Sequence, residues 1–454
     1  MLCQQFADAL IGYNRYSGAA LAKAAYCVLD FLSCAYATQH FPWVEQARQV
    51  AINNSGIKSV QPDDCAGHRG ATIIGTTQRV SVHDAVFVNS VAGHSLVRDD
   101  MHLGSVSHLG VAVMPVALAL AEQNKVSGKL FLEAIICGYE AGGKLGAMLM
   151  DVETARTFRP TGLIGAFAAA ATAARLNGLD VESSANALGF ASNYITGLNE
   201  WAAWGSDDMY FHPGIAARNG LTAAQLAQAG ALAAKGSLDG KAGLFAAFSK
   251  GVPTPAALPF GEHDEEILQV FFKQVPACNY AQTAAQVALQ VKIQNTLPMD
   301  SISRITVKVP YAAAHYPGCD YPGPFESILQ ARMSIHFNVA SALFHGNFDD
   351  SHYQDFANVN VHALAGLINV AVDEALTTDY PARQGASIQV ISREEEEFSA
   401  TLKDVVPANP DEVMTRYRIA ANGLPVAESH RQLLQKLDKR FIPGSLISPA
   451  SQAS

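Results

Sequence analysis

The sequence predicts a mainly α fold in which a large helical body is interrupted by a smaller α+β segment. Three observations lead to this prediction: the composition, the helical spacing of the first half, and β-type alternation confined to the region after a proline-rich break. Hydrophobic residues make up 49% of the 454 residues and charged residues only 16%. Disorder requires the opposite balance, so the chain is expected to form a large packed core.

Apolar residues with helical spacing fill the first half of the chain. The predicted helices are Leu21–Ala37, Gly110–Glu122, Leu130–Tyr139, Thr161–Leu176, Val181–Leu198 and Ile215–Ala234. The Gly110–Glu122 segment is apolar almost all round, which indicates a buried helix. Thr161–Leu176 is rich in Gly and Ala, and such small residues allow two helices to pack closely.

A change in composition near Gly251–Gly261, where three prolines occur, predicts a domain boundary. Beyond it, polar and β-branched residues alternate in two segments, which predicts strands at Ile302–Val309 and Ser387–Arg393. Helices are predicted at Arg332–Phe344 and again from about residue 410, where Leu433–Leu437 show an apolar pattern. The α+β segment is therefore enclosed by helical sequence on both sides.

Charge and hydropathy exclude several classes of protein. The net charge is −10 and no basic stripe is present, which argues against nucleic acid as a partner. The longest charge run, Glu394–Glu397, is acidic and is expected to face solvent. The first residues lack the basic and apolar regions of a signal peptide. The least charged stretch, Thr161–Ala174, is shorter than the ~20 residues that span a bilayer. These features predict a soluble, cytoplasmic protein without a membrane partner.

Cysteine usage agrees with a reducing compartment. The cysteines number seven, and no two have the Cys-x-x-Cys spacing. They are Cys3, Cys27, Cys34, Cys65, Cys137, Cys278 and Cys319. An odd count without paired spacing argues against a disulfide framework, a zinc ribbon and a cysteine-ligated iron–sulfur cluster.

One segment, Gly93–Gly110, concentrates groups that could carry chemistry. It contains two carboxylates and three histidines: Asp99, Asp100, His94, His102 and His108. Three interpretations stay open. Histidine could act in acid–base catalysis or contact a substrate; Asp and His could ligate a divalent metal; or the polar side chains could cap helix ends.

An arginine, Arg159, directly precedes the predicted helix that begins near Thr161. A cation at the positive end of a helix is unfavourable unless an anion also binds there. The pattern therefore indicates either an anionic ligand or an ion pair of Arg159 with Glu140 or Glu153.

Further candidates lie near the domain boundary and beyond it. Lys273 follows the boundary, where a lysine could bind a carboxylate or act as a base. His212 stands at a helix entry, a position at which histidine is more often structural. Asp320–Phe325 lies where a lid would be. No Gly-x-Gly-x-x-Gly, Walker-type or Gly-x-Ser-x-Gly motif is present.

These landmarks together resemble the MmgE/PrpD family, which includes 2-methylcitrate dehydratase, cis-aconitate decarboxylase and iminodisuccinate epimerase. The similarity extends over nearly the whole chain. The matching pieces include Ala71–Gly75, Ala85–Asn89, His94-Ser95, Asp99-Asp100, His102, Met114-Pro115, Gly138–Glu140, Pro160–Gly162, Ala185–Gly189, His212–Gly220, Lys273, Pro276–Cys278 and Gln330–Arg332.

The resemblance implies an all-helical domain formed by residues 1–266 together with 405–454, and an α+β lid domain formed by residues 267–404. It also implies a site in the crevice between the domains, a homodimer, and no metal or other cofactor. The implied chemistry is proton removal next to a carboxylate, followed by loss of water, loss of CO2 or reprotonation.

The family's motif residues are only partly kept. Asp99, Asp100, His102, His108 and Lys273 match the family pattern. By resemblance, Val97, Arg159 and Met209 stand where the family has Asp, His and Lys, and the family's lid tyrosine has its nearest match in Tyr321. Arginine stays protonated, so Arg159 cannot replace histidine as a base.

We therefore predict a cofactor-independent lyase or isomerase that acts on a small anionic substrate with an altered site. The predicted catalytic residues are His108, Lys273, Tyr321 and His102. The predicted substrate-binding residues are Arg98, Asp99, Asp100, Arg159, Met209 and His212. The alternative is a repurposed enzyme with a more apolar substrate, or a binding protein without catalysis.

Overall fold

The computed structural model describes residues 1–55, 70–124, 126–253, 264–426 and 428–441. Helices predominate among them and the strands are short, so the prediction of a mainly α fold is confirmed. Cys65 and residues 254–261 of the predicted boundary segment lie outside the described residues.

Twelve described helices precede residue 253. They are α1 (Leu2–Gly12), α2 (Gly18–Ala37), α3 (Pro42–Ser55), α4 (Val82–His94), α5 (Gly110–Asn124), α6 (Gly128–Leu149), α7 (Val152–Thr157), α8 (Pro160–Leu176), α9 (Val181–Ala191), α10 (Trp201–Trp204), α11 (Asp208–Gln228) and α12 (Leu244–Ala247).

Nine further described helices follow residue 264. They are α13 (Gln282–Gln294), α14 (Tyr311–His315), α15 (Ile328–Met333), α16 (Ile335–His345), α17 (Ser351–Gln354), α18 (Val359–Ala365), α19 (Glu374–Asp379), α20 (Pro410–Ala421) and α21 (Glu428–Phe441). The described strands are β1 (Gly70–Thr72), β2 (Arg79–Ser81), β3 (Met101–His102), β4 (Val270–Phe271), β5 (Ile302–Val309), β6 (Ile368–Val372), β7 (Ala386–Ser392) and β8 (Glu397–Leu402).

Helix α8 lies at the centre of the helical body and packs against α5, α6, α9 and α11. Its small residues allow the close approach that the sequence predicted. A Cβ atom added at Gly220 of α11 would lie 2.3 Å from the Ala166 carbonyl oxygen of α8, so only glycine fits there. Because α8 is buried along its length, its N-terminal end is fixed within the protein.

Strands β5 to β8 form one sheet in the order β6-β5-β7-β8. Strand β5 pairs parallel with β6 and antiparallel with β7. Both strands predicted from alternation, Ile302–Val309 and Ser387–Arg393, belong to this sheet. Helices α13 and α16 pack against it. The chain then returns to the helical body, where α20 packs against α2.

Several predicted helix boundaries are wrong. The predicted helix Leu130–Tyr139 continues to Leu149, and the predicted helix Ile215–Ala234 ends at Gln228. The predicted helix Val181–Leu198 ends at Ala191, and the predicted helix Arg332–Phe344 is broken at Ser334, whose side chain caps α16. Helix α11 begins at Asp208 rather than at Ile215, because Pro213 is accommodated inside the helix instead of preceding it. The conformation of residues 192–206 and the start of α11 depend on packing around α8.

One described helix, α2, is long and apolar enough by length and composition to cross a membrane. Of its most apolar window, 67% is buried inside the protein. A buried core helix of a globular protein meets the same criteria.

Candidate active site

The histidine- and aspartate-rich segment forms a turn between α4 and α5. Helix α4 ends at His94, and α5 begins at Gly110. Within the turn, Met101 and His102 pair as strand β3 with strand β4. This pairing ties the turn to the chain that leads to Lys273, so two distant parts of the sequence meet at one place.

Asp99 lies at the centre of the candidate site and is almost completely buried. One of its carboxylate oxygens, Oδ2, lies 2.9 Å from Nδ1 of His94 and 3.1 Å from Nδ1 of His108. Burial alone would raise the pKa of Asp99, but the two facing imidazoles hold it well below its usual range. Asp99 is therefore a carboxylate that orients two histidine rings.

The tautomer of His94 follows from its second partner. Arg159 donates a hydrogen bond from Nη2 to Nε2 of His94 over 2.9 Å. Because arginine is always a donor, Nε2 must carry the lone pair and Nδ1 must carry the proton. Burial lowers the pKa of His94, which agrees with a neutral ring.

The tautomer of His108 follows in the same way. Its Nδ1 faces two acceptors, Asp99 Oδ2 at 3.1 Å and the Asp100 carbonyl oxygen at 3.0 Å. Nδ1 therefore carries the proton, and the lone pair is on Nε2. Burial lowers the pKa of His108 to about 3. The ring is thus a neutral base at physiological pH, with Nε2 as the nitrogen left available to the cavity.

Arg159 is buried at the N-terminal end of α8 without a carboxylate partner among the described residues. Its Nη1 donates to the hydroxyl oxygen of Tyr316 over 3.2 Å, and its Nε has no described hydrogen-bond partner. The alternative ion pairs are not formed, since Glu153 pairs with Arg156 and Glu140 lies near Lys144. A buried cation at the positive end of a helix is suited to bind an anion.

Arg159, Tyr316 and His108 line one small cavity of about 20 Å³. The remaining lining residues are mostly apolar or uncharged: Val97, Met101, Val106, Cys278, Asn279, Tyr280 and Met333. The wall thus combines residues from the helical body with residues from beyond the predicted boundary. Burial raises the pKa of Tyr316, so its hydroxyl keeps its proton.

Lys273 lies behind the cavity wall. Its side chain is completely buried, and Nζ donates to the carbonyl oxygens of Val97 and of Ala277, the latter over 3.2 Å. Val97 adopts a left-handed backbone conformation with φ of 54°, which is unfavourable for a β-branched residue. Lys273 therefore stabilises the strained turn that carries Asp99, and it does not line the cavity.

The cluster of His94, Asp99 and His108 has the residue types and the spacing of a metal site. The hydrogen bonds argue against that use. His94 would have to bind a metal through Nδ1, because its Nε2 accepts from Arg159, and the metal would then displace the proton that faces Asp99. The residues present fit a hydrogen-bonded acid–base unit better than a metal centre.

Three predicted site residues lie outside the cavity wall. Arg98 turns toward α2 and donates to Ser33 Oγ over 2.9 Å. Asp100 accepts from the Tyr139 hydroxyl and from the Gly110 backbone N–H, and burial raises its pKa to about 6. His102 lies 2.9 Å from Glu266 and accepts at Nδ1 from the Ser105 backbone N–H. These contacts stabilise the turn rather than reach the cavity.

Three more predicted residues also lie elsewhere. Met209 is fully buried in the core. The Tyr321 hydroxyl donates to the Pro324 carbonyl, which keeps it within its own turn. His212 adjoins Arg159 across Gly197 but is not part of the cavity wall, and burial lowers its pKa to about 4.

Sequence reasoning did not select two residues that the structure brings into the site. His94 lies in the candidate segment Gly93–Gly110 and in a piece that matches the family, but it was not among the predicted catalytic or substrate-binding residues. Tyr316 has no signal in the sequence. Its place beside Arg159 depends on how the segment after β5 packs on the helical body.

Comparisons with known proteins identify similar sequences. The family model described as the MmgE/PrpD N-terminal domain matches residues 4–256, and the MmgE/PrpD C-terminal domain matches residues 275–421. Human cis-aconitate decarboxylase is 29% identical over 336 residues, which are 70% of this chain and 65% of that protein.

Two fungal relatives are similar over shorter regions. Cis-aconitate decarboxylase of Aspergillus terreus is 32% identical over 238 residues, which are 51% of this chain and 46% of that protein. The cis-aconitate decarboxylase-like protein oryM of Aspergillus oryzae is 29% identical over 233 residues, which are 50% of this chain. The chain spans about half the length of these fungal relatives, 46% in each case.

Proposed function

Because the chain belongs to the MmgE/PrpD family, we propose that it is a cofactor-independent lyase or isomerase that removes a proton next to a carboxylate of a small substrate. The observation that carries this proposal is the pairing of two groups on one cavity wall. His108 presents a neutral base, and Arg159 presents a buried cation without a described carboxylate partner.

The substrate carboxylate binds Arg159. The guanidinium has five N–H donors, of which one points to His94 and one to Tyr316. The N–H on Nε, which has no described partner, is available to a carboxylate oxygen. The N-terminal end of α8 favours negative charge at the same place. Ligand binding thus supplies the partner that the buried cation lacks.

Nε2 of His108 is the atom that removes the proton. The carbon next to the bound carboxylate loses its proton to this nitrogen, and the electron pair moves into the carboxylate to give an enolate-like anion. Asp99 stabilises the resulting imidazolium through Nδ1. Arg159 stabilises the developing charge on the carboxylate oxygens, in the way that fixed donors stabilise an oxyanion.

Tyr316 is suited to the second half of the reaction. Its hydroxyl oxygen accepts from Arg159, so its own hydrogen remains free to be donated. It can protonate a leaving group or the carbanion. Loss of water from the neighbouring carbon and reprotonation can both follow from this anion, and the substrate determines which one does.

The family likeness also supports three proposals about domain arrangement, cellular location and assembly. Residues 267–404 act as a lid over residues 1–266 and 405–454. The protein works in the cytoplasm, and two copies associate as a homodimer. Light scattering at micromolar concentration tests the last proposal, and a monomer would contradict it.

Deuterium exchange tests the proposed reaction. The protein is incubated in D2O with butanoate, 3-hydroxybutanoate, succinate or tricarballylate, and incorporation at the carbon next to a carboxylate is followed by NMR. We expect exchange with at least one acid, and a loss of about 10²–10⁴-fold in His108→Gln.

The matched control is His315→Gln, which changes an exposed histidine outside the cavity wall. It should exchange at the wild-type rate. Unchanged exchange in His108→Gln, or no exchange of any acid by the wild-type protein, would overturn the proposal.

A further inference from the structure

The charges of the cavity wall identify the substrate class more closely than the family does. We infer that the site takes a substrate with a single carboxylate and an apolar remainder. This inference rests on the proposed function, because it concerns the same cavity and the same arginine.

Arg159 is the one permanently charged side chain among the described residues that line the cavity. Apart from His108, the remaining lining side chains are aliphatic, sulfur-containing, aromatic or amide groups. Since one guanidinium satisfies one carboxylate by a bidentate hydrogen bond, the wall offers a matched partner for one negative charge only.

The nearest other cation is not free to bind a second carboxylate. Lys273 is completely buried, and its ammonium group already donates to the carbonyl oxygens of Val97 and Ala277. Recruiting it would require breaking the contact that supports the left-handed conformation of Val97. Met209, which occupies the place of a family lysine, is an uncharged core residue.

The histidines add no positive charge. His94 accepts a hydrogen bond from Arg159, and His108 faces the cavity with a lone pair, so both rings are neutral in the arrangement described. A second carboxylate would also lose its hydration against the apolar surfaces of Met101, Val106 and Met333. Burying an unpaired charge in such surroundings is strongly unfavourable.

A matched series of acids tests the inference by isothermal titration calorimetry on the full chain. Butanoate and succinate have the same number of carbons and differ by one carboxylate, and tricarballylate adds a third. We expect butanoate to bind at least tenfold more tightly than succinate, and tricarballylate to bind no better than succinate.

Two variants test whether the number of cations on the cavity wall sets the preference. Arg159→Met should weaken butanoate binding more than tenfold. Met333→Lys adds a cation to the wall and should reverse the preference toward succinate; Met101→Lys is the second version, in case the first does not fold.

The binding and exchange experiments distinguish failure of this inference from failure of the proposed reaction. The inference would be overturned if succinate or tricarballylate bound more tightly than butanoate, or if butanoate did not bind. In that case, deuterium exchange of the preferred acid would still support the proposed function. Binding of butanoate as expected, with no deuterium exchange of any acid, would support the inference and overturn the proposed reaction.

Discussion

Arg159 donates a hydrogen bond to Nε2 of His94 over 2.9 Å, and His94 faces Asp99 through Nδ1 over the same distance. A cation from the start of α8 is thereby connected through a neutral ring to a buried carboxylate. The contact determines the tautomer of His94 and places Arg159 beside the cavity. It also explains how the chain, with arginine at position 159, keeps His94 hydrogen-bonded to Asp99.

Asp99→Asn should impair proton transfer without removing any group from the cavity wall. A neutral amide holds the two Nδ1 protons more weakly than a carboxylate and supplies no charge to stabilise the imidazolium, so the exchange rate should fall about 10²–10⁴-fold. Nitrogen NMR of the histidine rings should show that His108 no longer has a single tautomer. Asp355→Asn, an exposed change outside the site, is the control, and an unaltered His108 spectrum in Asp99→Asn would contradict the assigned role.

The rate of proton removal should depend little on pH between about 8 and 5. Burial lowers the pKa of His108 to about 3, so the ring keeps its lone pair well below the pH at which an ordinary histidine is protonated. The measurement is the initial rate of deuterium exchange across this range, with the stability of the protein followed in parallel. A decline with a midpoint near 6.5 would show that the base is a solvated histidine.

Asp30→Asn should stabilise the protein increasingly as pH rises. Asp30 is buried in α2, neither of its oxygens has a hydrogen-bond partner in the described part of the chain, and burial raises its pKa to about 7 against partial opposition from Arg98. A raised pKa means that the folded state prefers the protonated acid. Its contribution to stability is therefore present at low pH and is lost as pH rises through about 7.

The neutral amide should thus increase Tm by about 2 °C or more at pH 8. The gain should grow between about pH 4 and pH 7 and then level off. Thermal unfolding at several pH values measures it, with Asp355→Asn as the control. A gain that is the same at pH 4.5 and pH 8 would show that ionisation of Asp30 is not involved.

Chelation should leave the protein unchanged. His94 donates through Nδ1 to Asp99 and accepts at Nε2 from Arg159, so a metal bound to this ring would have to displace one of these hydrogen bonds. We expect a colourless protein whose Tm and exchange rate are the same before and after treatment with EDTA. A stoichiometric metal in elemental analysis, required for activity, would refute this expectation.

The protein should neither decarboxylate cis-aconitate nor dehydrate 2-methylcitrate. Both acids carry three carboxylates, whereas the described cavity wall has Arg159 as its one permanent cation. Arg159→His should abolish any native reaction rather than restore these two, because it removes the carboxylate partner. Mass spectrometry of incubations with each acid is the direct assay, and turnover near one per second would show that the changed residues do not control specificity.

Local sequence patterns were enough to predict many of the helices and strands of this protein. The helices Gly110–Asn124 and Pro160–Leu176 follow from runs of apolar and small residues, and the strands Ile302–Val309 and Ala386–Ser392 follow from alternation. The spacing of motifs along the chain was enough to identify the family. A cation at a helix start needs a partner, so the sequence also indicated either an anionic ligand or an ion pair at Arg159.

The tertiary structure alone decided which groups face the cavity. His102, Arg98 and Asp100 are as polar in the sequence as His108, but contacts with Glu266, Ser33 and Tyr139 direct them away from the cavity. Tyr316 takes the place beside Arg159 although Tyr321 is equally a tyrosine of the same segment. The physical reason is that side-chain direction and proton position depend on partners distant in sequence, which no local pattern specifies.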